Sequence, residues 1–211
     1  MLFDQPEQLE PDQVLAWHAL CRAGLDQERL KIRACLLNQS SFPSYVASIL
    51  LGADSDEVDF YFADCRDELD LSAVLTLIAA AEGRIRLDAK RRVDATGNTG
   101  ANTLAGRLNV LFSDADKDWA VPLYESGIME AWKSYTATLT KVTSQDQARI
   151  LTCIGKLKEM LPVRHWVAHG RYYELRGGIK RYPPVTVAKA VSSLYKALGD
   201  ATVCGGLTVF R

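Results

Sequence analysis

The chain has 211 residues, 48% of them hydrophobic and 24% charged, a composition typical of a soluble globular protein. This length is sufficient for a substantial core and is most simply organised as one domain. No stretch approaches the roughly 20 apolar residues of a membrane-spanning helix. Because the acidic, polar N-terminus also lacks the basic start and apolar core of a signal peptide, we expect a cytoplasmic protein with no membrane partner.

The net charge of −1 conceals an uneven distribution of charge along the chain. Residues 1–80 carry 5 basic and 14 acidic groups (−9), residues 81–144 carry 9 and 8 (+1), and residues 145–211 carry 11 and 4 (+7). A polyanion would be attracted to the C-terminal third and repelled by the N-terminal third. Pairing between oppositely charged parts of the chain explains the same distribution equally well.

The five cysteines are scattered and odd in number, and no two of them form a C-x-x-C pair. Zinc ribbons and redox dithiols therefore have no support. We expect reduced, structural thiols, since a free cysteine behaves as a small hydrophobic residue. The cysteines are Cys21, Cys35, Cys65, Cys153 and Cys204.

Apolar residues recur at helical spacing through most of the sequence. In the first 64 residues this spacing predicts three short helices, over residues 11–24, 26–38 and 43–51. Gly24 and Gly52 mark the ends of the first and third helices. Residues 55–64 alternate acidic with aromatic side chains, so both helix and strand are compatible with that segment.

The clearest predicted helix spans residues 71–93, with an apolar first half that must be buried and an amphipathic second half. The following stretch, D-A-T-G-N-T-G-A-N-T, predicts a loop, and because it contains no lysine it is not a phosphate-binding P-loop. Helices are then predicted over residues 103–112 and 128–140. The loop between them lacks the glycine and distal glutamate of a calcium-binding loop, although it holds three aspartates (Asp114, Asp116 and Asp118).

A long amphipathic helix is predicted from Ser144 to Met160, and Pro162 is expected to break or restart it. The segment 163–173 follows, and a Gly-Gly turn leads to a last helix from the prolines at 183–184 to residue 198. The tail is compatible with a short strand or with disorder. Taken together, these elements predict an all-α fold.

Two of the three histidines lie in one short stretch, L-P-V-R-H-W-V-A-H-G-R-Y-Y, at residues 161–173. If a helix restarts at Pro162, His165 and His169 are neighbours on one face because they are four residues apart. Two arginines and a tyrosine fall beside them around the helix axis (Arg164, Arg171 and Tyr172). This strip would then lie at a helix N-terminus, where backbone N–H groups favour an anion such as phosphate.

These residue types suit RNA cleavage without a metal ion, in which the 2′-OH attacks the neighbouring phosphorus. A base must accept the 2′-OH proton, and an acid must protonate the leaving 5′-oxygen. Histidine can take either role because its ordinary pKa is about 6.5, and arginine can bind two phosphoryl oxygens with its planar guanidinium. We expect no metal and no other cofactor. Spacing alone is also compatible with histidines and arginines that are solvated or satisfied in the core.

The segment R-H-W-V-A-H-G resembles the signature of the HEPN superfamily: an arginine, then commonly Asn, Asp or His, then three variable residues and a histidine. The matching positions here are Arg164, His165 and His169. The helix ending A-A-A-E-G-R-I-R-L-D-A-K-R-R at residues 79–92, followed by a variable insertion, is similar to that of larger HEPN proteins from prokaryotic defence and toxin systems. The resemblance covers about residues 70–198.

This resemblance implies that residues 1–211 form one domain, an antiparallel helical bundle with a central loop insertion. Residues 66–200 would be the HEPN-like core, and residues 1–65 an N-terminal helical extension. The resemblance also implies a homodimer in which two copies of the signature line one cleft for RNA. An antitoxin or a nucleotidyltransferase is a possible further partner.

The implied activity is that of a metal-independent endoribonuclease of the toxin or abortive-infection type, which leaves 2′,3′-cyclic phosphate ends. Arg164 and His169 would be the catalytic pair, and His165 a polar accessory. The alternative is a HEPN-like module that binds RNA, nucleotides or a partner protein without cleaving.

Further residues are candidates for supporting this site. Glu82 and Arg86 are candidates for orienting it, and an ordinary surface ion pair between residues four apart is the alternative. Arg171 and Tyr172 are candidates for holding phosphate or stacking on bases, although the tyrosine also suits a core or a dimer interface. His18, in an amphipathic helix, is expected to be structural.

Overall fold

A computed structural model describes residues 9–96, 103–115, 117, 120–139, 142–168 and 182–200. Within those ranges the regular structure is helical and contains no strand, which confirms the predicted all-α fold. The α-helices in the described part of the chain are α1 (Pro11–Leu37), α2 (Ser44–Ala47), α3 (Ser55–Thr96), α4 (Leu104–Ser113), α5 (Ile128–Thr136), α6 (Ser144–Ala168) and α7 (Pro184–Gly199).

Helices α1 and α3 form a long antiparallel pair, whose direction is fixed by side-chain contacts. Early in α1, Nε2 of the buried His18 lies 2.7 Å from Oδ1 of Asp70. Later in α1, Arg29 and Arg33 reach the carboxylate of Asp59 at 3.2 and 3.0 Å. Rising residue numbers on α1 therefore meet falling numbers on α3. The acidic N-terminal third thus neutralises part of its charge with its own arginines, and His18 has the structural place expected of it.

Helix α1 passes through Gly24 without a break, so the prediction of separate helices over residues 11–24 and 26–38 is wrong. A glycine inside a helix costs only about 1 kcal/mol relative to alanine. Contacts with α3 hold α1 on both sides of that position. Before the glycine, Arg22 lies 2.8 Å from the carboxylate of Asp70, and after it Arg29 binds the carboxylate of Asp59.

Residues 55–64 are helical and run directly into the predicted helix over residues 71–93, so that α3 has 42 residues. Val58 and Phe62, one turn apart, are buried, whereas Phe60 between them is 73% exposed. The alternation of residue types in this segment therefore marks the two faces of a helix. Among the described residues, no helix combines the length and apolar character needed to cross a membrane.

The apolar half of α3 lies in the main hydrophobic core, as predicted. Helix α3 packs against α1, α4, α5, α6 and α7. Burial of each large apolar side chain contributes about 1.5–3 kcal/mol, so this contact set dominates the stability of the molecule. Its most deeply buried large side chains are Leu77, Ile78, Ile85, Leu108, Ile128, Met129, Trp132, Ile150, Ile154, Leu194 and Leu198.

A second, smaller core lies at the far end of the α1–α3 pair. It is formed by one buried side chain from α1, two from the α2 region and two from α3 (Ile32, Val46, Leu50, Val58 and Phe62). Helix α2 is shorter than the predicted helix over residues 43–51, and Gly52 closes this region with a φ of 79°, which favours glycine. The first part of the chain therefore has apolar packing of its own.

Helix α6 runs through Pro162, so the predicted break at that proline is wrong. A proline inside a helix removes one hydrogen bond and costs about 3 kcal/mol. Its neighbours Leu161 and Val163 are both buried in the main core. Because burial of two such side chains contributes about 3–6 kcal/mol, packing offsets the cost of the proline.

Candidate functional site

The predicted site residues divide between α6, α3 and the part of the chain that the structure leaves undescribed. Arg164 and His165 lie near the C-terminal end of α6, and both are exposed. Glu82 and Arg86 lie one turn apart on α3. The remaining predicted site residues, His169, Arg171 and Tyr172, lie outside the described residues.

The predicted helix N-terminus at Pro162, with its affinity for anions, does not exist. Because α6 begins at Ser144 and continues to Ala168, Arg164 and His165 lie toward its C-terminal end. The helix macrodipole is negative there and stabilises positive side chains rather than a bound anion. Any attraction for phosphate at this place must therefore come from the side chains themselves.

The structure brings Glu82 of α3 to Arg164 of α6. Oε2 of Glu82 lies 3.1 Å from Nε of Arg164, and the two side chains are 11% and 46% exposed. The carboxylate of Glu82 is buried and reaches a second helix, so its contacts go beyond an ordinary surface pair with Arg86. The half-exposed guanidinium of Arg164 is thus held by the buried carboxylate of Glu82.

The hydroxyl of Tyr124 also contacts the carboxylate of Glu82. It donates to Oε1 of Glu82 across 3.4 Å, from the segment between α4 and α5. Arg86 supports the same segment, since its Nη1 donates to the carbonyl oxygen of Val121 at 2.6 Å. Both α3 residues that the sequence proposed as orienting groups therefore contact the surroundings of Arg164.

The electrostatics at Glu82 have opposing parts. Burial raises the pKa of its carboxyl, while the charges of Arg164, Arg86 and His165 and the hydrogen bond from Tyr124 lower it. Burial, together with the neighbouring carboxylate, raises the pKa of the Tyr124 phenol well above its usual range, so the hydroxyl stays protonated and able to donate.

This arrangement suits the binding of an anion at the exposed side of Arg164. Glu82 contacts Nε, so within the described part of the chain the two Nη groups of the half-exposed guanidinium are left for a bidentate contact with phosphate oxygens. His165 is exposed, and its charge acts on the same carboxylate by lowering the pKa of Glu82, so its imidazole lies near this site. A bound phosphodiester would therefore meet the fixed positive charge of Arg164.

Metal ligands do not cluster in the described part of the chain, where no group of three His, Cys, Asp or Glu side chains is arranged to hold an ion. Four cysteines are free thiols: Cys21, Cys35 and Cys65 are partly buried, and Cys153 is buried. Cys204 lies outside the described residues. Asp116 and Asp118 also lie outside the described residues.

Comparison of this chain with family models, with curated proteins and with solved structures finds no match. The resemblance to the HEPN superfamily therefore depends on the residues of the signature and its upstream helix. Sequence reasoning selected Glu82, Arg86, Arg164 and His165 as candidates but did not include Tyr124. That tyrosine lies in an irregular segment 42 residues from its partner, and no local pattern indicates such a contact.

Proposed function

We propose that this protein is a metal-independent endoribonuclease whose phosphate-binding group is Arg164. The supporting observation is the half-exposed guanidinium of Arg164, held at Nε by the buried Glu82 and followed by the exposed His165. The resemblance to the HEPN signature adds His169 as the second member of the catalytic pair. A basic C-terminal third, with a net charge of +7 over residues 145–211, favours approach of a polyanion.

The proposed reaction is an internal transfer at phosphorus. The 2′-oxygen bonds to phosphorus, the bond from phosphorus to the 5′-oxygen breaks, and a 2′,3′-cyclic phosphate and a 5′-OH result. Histidine accepts the 2′-OH proton, and a protonated histidine supplies the proton that the 5′-oxygen takes up. Arg164 stabilises the charge that builds on the non-bridging oxygens. The homodimer implied by the resemblance would place two such sets at one RNA strand, in the cytoplasm.

The alternative is an RNA- or nucleotide-binding module without cleavage. The ion pair with Glu82 favours this alternative, because a neighbouring carboxylate reduces the positive potential that Arg164 offers to a transition state. A binding module requires an accessible cation but no proton transfer. The two proposals therefore differ in whether histidine is needed.

The test is incubation of the purified chain with total RNA in EDTA, with cleavage products separated on a denaturing gel. We expect cut RNA carrying 2′,3′-cyclic phosphate ends, no cleavage by His169→Ala, and a loss of about 10²–10³ in rate for Arg164→Ala, as for removal of one charge-stabilising donor. RNA that is bound but uncut by the wild type would favour the module. Cleavage that EDTA abolishes would contradict the metal-free mechanism.

A further inference from the structure

The segment over residues 121–127, here called the clamp loop, is fixed by backbone hydrogen bonds to the start of α5. The N–H of Ile128 donates to the carbonyl of Pro122 at 2.9 Å, and that of Met129 donates to Leu123 at 2.8 Å. The N–H of Gly127 donates to the carbonyl of Tyr124 at 2.9 Å. Tyr124 is therefore carried by a closed turn.

Packing and a side-chain bond from α3 fix the clamp loop further. Val121 and Leu123 are buried in the main core. Arg86 donates from Nη1 to the carbonyl oxygen of Val121 at 2.6 Å. A Cβ at Gly127 would lie 1.9 Å from the carbonyl oxygen of Pro122, so the turn closes only with glycine at this position. Such a rigid support is suited to setting the position of a side chain.

We propose that the clamp loop positions the phosphate-binding group: Tyr124 holds the carboxylate of Glu82, and Glu82 holds Nε of Arg164 so that both Nη groups are presented to an RNA phosphate. The proposal rests on the function proposed above. Tyr124 and Glu82 are positioning residues in this account and touch no substrate.

The link from Glu82 to Arg164 requires an ionised carboxylate. Burial raises the pKa of Glu82, and the groups that lower it are Arg164 and His165 on α6, Arg86 on α3 and the hydroxyl of Tyr124. Removing that hydroxyl therefore raises the pKa further, so Glu82 takes up a proton at a higher pH. Once it is protonated, Nε of Arg164 loses its charged partner, and the guanidinium is no longer held in one orientation.

The experiment compares the wild type with Tyr124→Phe by following the Nε–Hε resonance of Arg164 in an NMR titration from neutral to acidic pH. The resonance is assigned by its absence in Arg164→Lys. We expect the transition of Arg164 Nε to move upward by about 0.5 pH unit in Tyr124→Phe, the size expected for loss of one modest hydrogen bond. In the pH dependence of the rate of RNA cleavage, the fall in rate on the acid side should also move to higher pH in Tyr124→Phe.

Tyr45→Phe is the matched control, because it removes a hydroxyl that donates to the carboxylate of Glu28 at the far end of the α1–α3 pair. Its titration and its rate profile should match those of the wild type. His165→Gln removes the neighbouring imidazole, so a transition that this variant retains is assigned to Glu82. If Tyr124→Phe fails to fold, Glu82→Gln provides the test, and the Arg164 transition should then disappear.

An Arg164 transition at the same pH in wild type and Tyr124→Phe would overturn the positioning role, and so would a transition that persists in Glu82→Gln. The NMR readout needs no RNA, so failure of this inference is distinguishable from failure of the proposed function. If the wild type cuts no RNA but the Arg164 transition moves as expected in Tyr124→Phe, the proposed nuclease activity is refuted and the positioning role of Tyr124 is retained. If cleavage depends on Arg164 but the Arg164 transition has the same pH in wild type and Tyr124→Phe, only the positioning role of Tyr124 is refuted.

Discussion

Gly127→Ala should destabilise the protein, because the new methyl group would overlap the backbone of the clamp loop. The Cβ would lie 1.9 Å from the carbonyl oxygen of Pro122 and 2.4 Å from its carbonyl carbon. Relief requires the turn to open, which breaks the 2.9 Å bond from the N–H of Ile128 to that carbonyl. The lost bond costs about 0.5–1.5 kcal/mol and the overpacking about 1–3 kcal/mol, so we expect a loss of roughly 2–4 kcal/mol.

The assay is urea denaturation followed by circular dichroism, with Gly24→Ala as the control. Gly24 lies inside α1, and a Cβ there would meet nothing within 4 Å. The same chemical change should therefore stabilise the protein by about 0.5–1 kcal/mol at Gly24. Equal stabilities for Gly127→Ala and the wild type, or a destabilising Gly24→Ala, would refute the reasoning.

Two further predictions concern buried charges on α3. Nε of Arg92 lies 2.7 Å from Oδ2 of Asp88, and both side chains are buried, so Arg92→Met breaks a buried ion pair and should cost about 3–5 kcal/mol in urea denaturation. A loss below about 1 kcal/mol would contradict the account. Because burial raises the pKa of Glu82 above 4.5, the folded state binds a proton there more readily than the unfolded state. The wild type should therefore gain stability relative to Glu82→Gln as the pH falls through the folded-state pKa of Glu82. This stabilisation is fully present below 4.5 and is lost as the pH rises through the folded-state pKa. A change of the opposite sign would show that another group dominates.

The sequence predicted helices α4 and α7 well, because each has a strong local signal. Helix α7 begins at Pro184 and ends at Gly199, close to the predicted helix from the prolines at 183–184 to residue 198. Helix α4 begins at Leu104, after Thr103 caps its first turn by accepting a bond from the N–H of Gly106 at 3.0 Å. Local capping and breaking residues agree here with the helix bounds.

The wrongly predicted helix ends at Gly24 and at Pro162 share one physical cause. Gly24 and Pro162 weaken a helix locally, by about 1 and 3 kcal/mol. At both places the free energy contributed by contacts with other helices exceeds this local cost. A single sequence does not reveal which contacts a helix will make. The error at Pro162 also affected the site, because it placed Arg164 at the wrong end of a helix.

Within the candidate site, chemistry guided the choice of Glu82 and Arg164 but did not supply their distance. Their residue types and their places on two predicted helices made them candidates, and the packing of α3 against α6 brings them within 3.1 Å. Tyr124 had no such signal, since its place depends on how a loop crosses the bundle. Polar groups on regular helices were thus easier to find than one on an irregular segment.

The most direct test of the central claim is induction of the chain in bacteria, with growth followed and total RNA run on a denaturing gel. Wild type, Arg164→Ala and Arg149→Ala are compared, because Arg149 lies on the same helix and its side chain is similarly exposed, at 44% against 46%. The account predicts arrested growth and cut RNA for wild type and Arg149→Ala, and normal growth with intact RNA for Arg164→Ala. Cut RNA in all three strains, or intact RNA in all three, would contradict it.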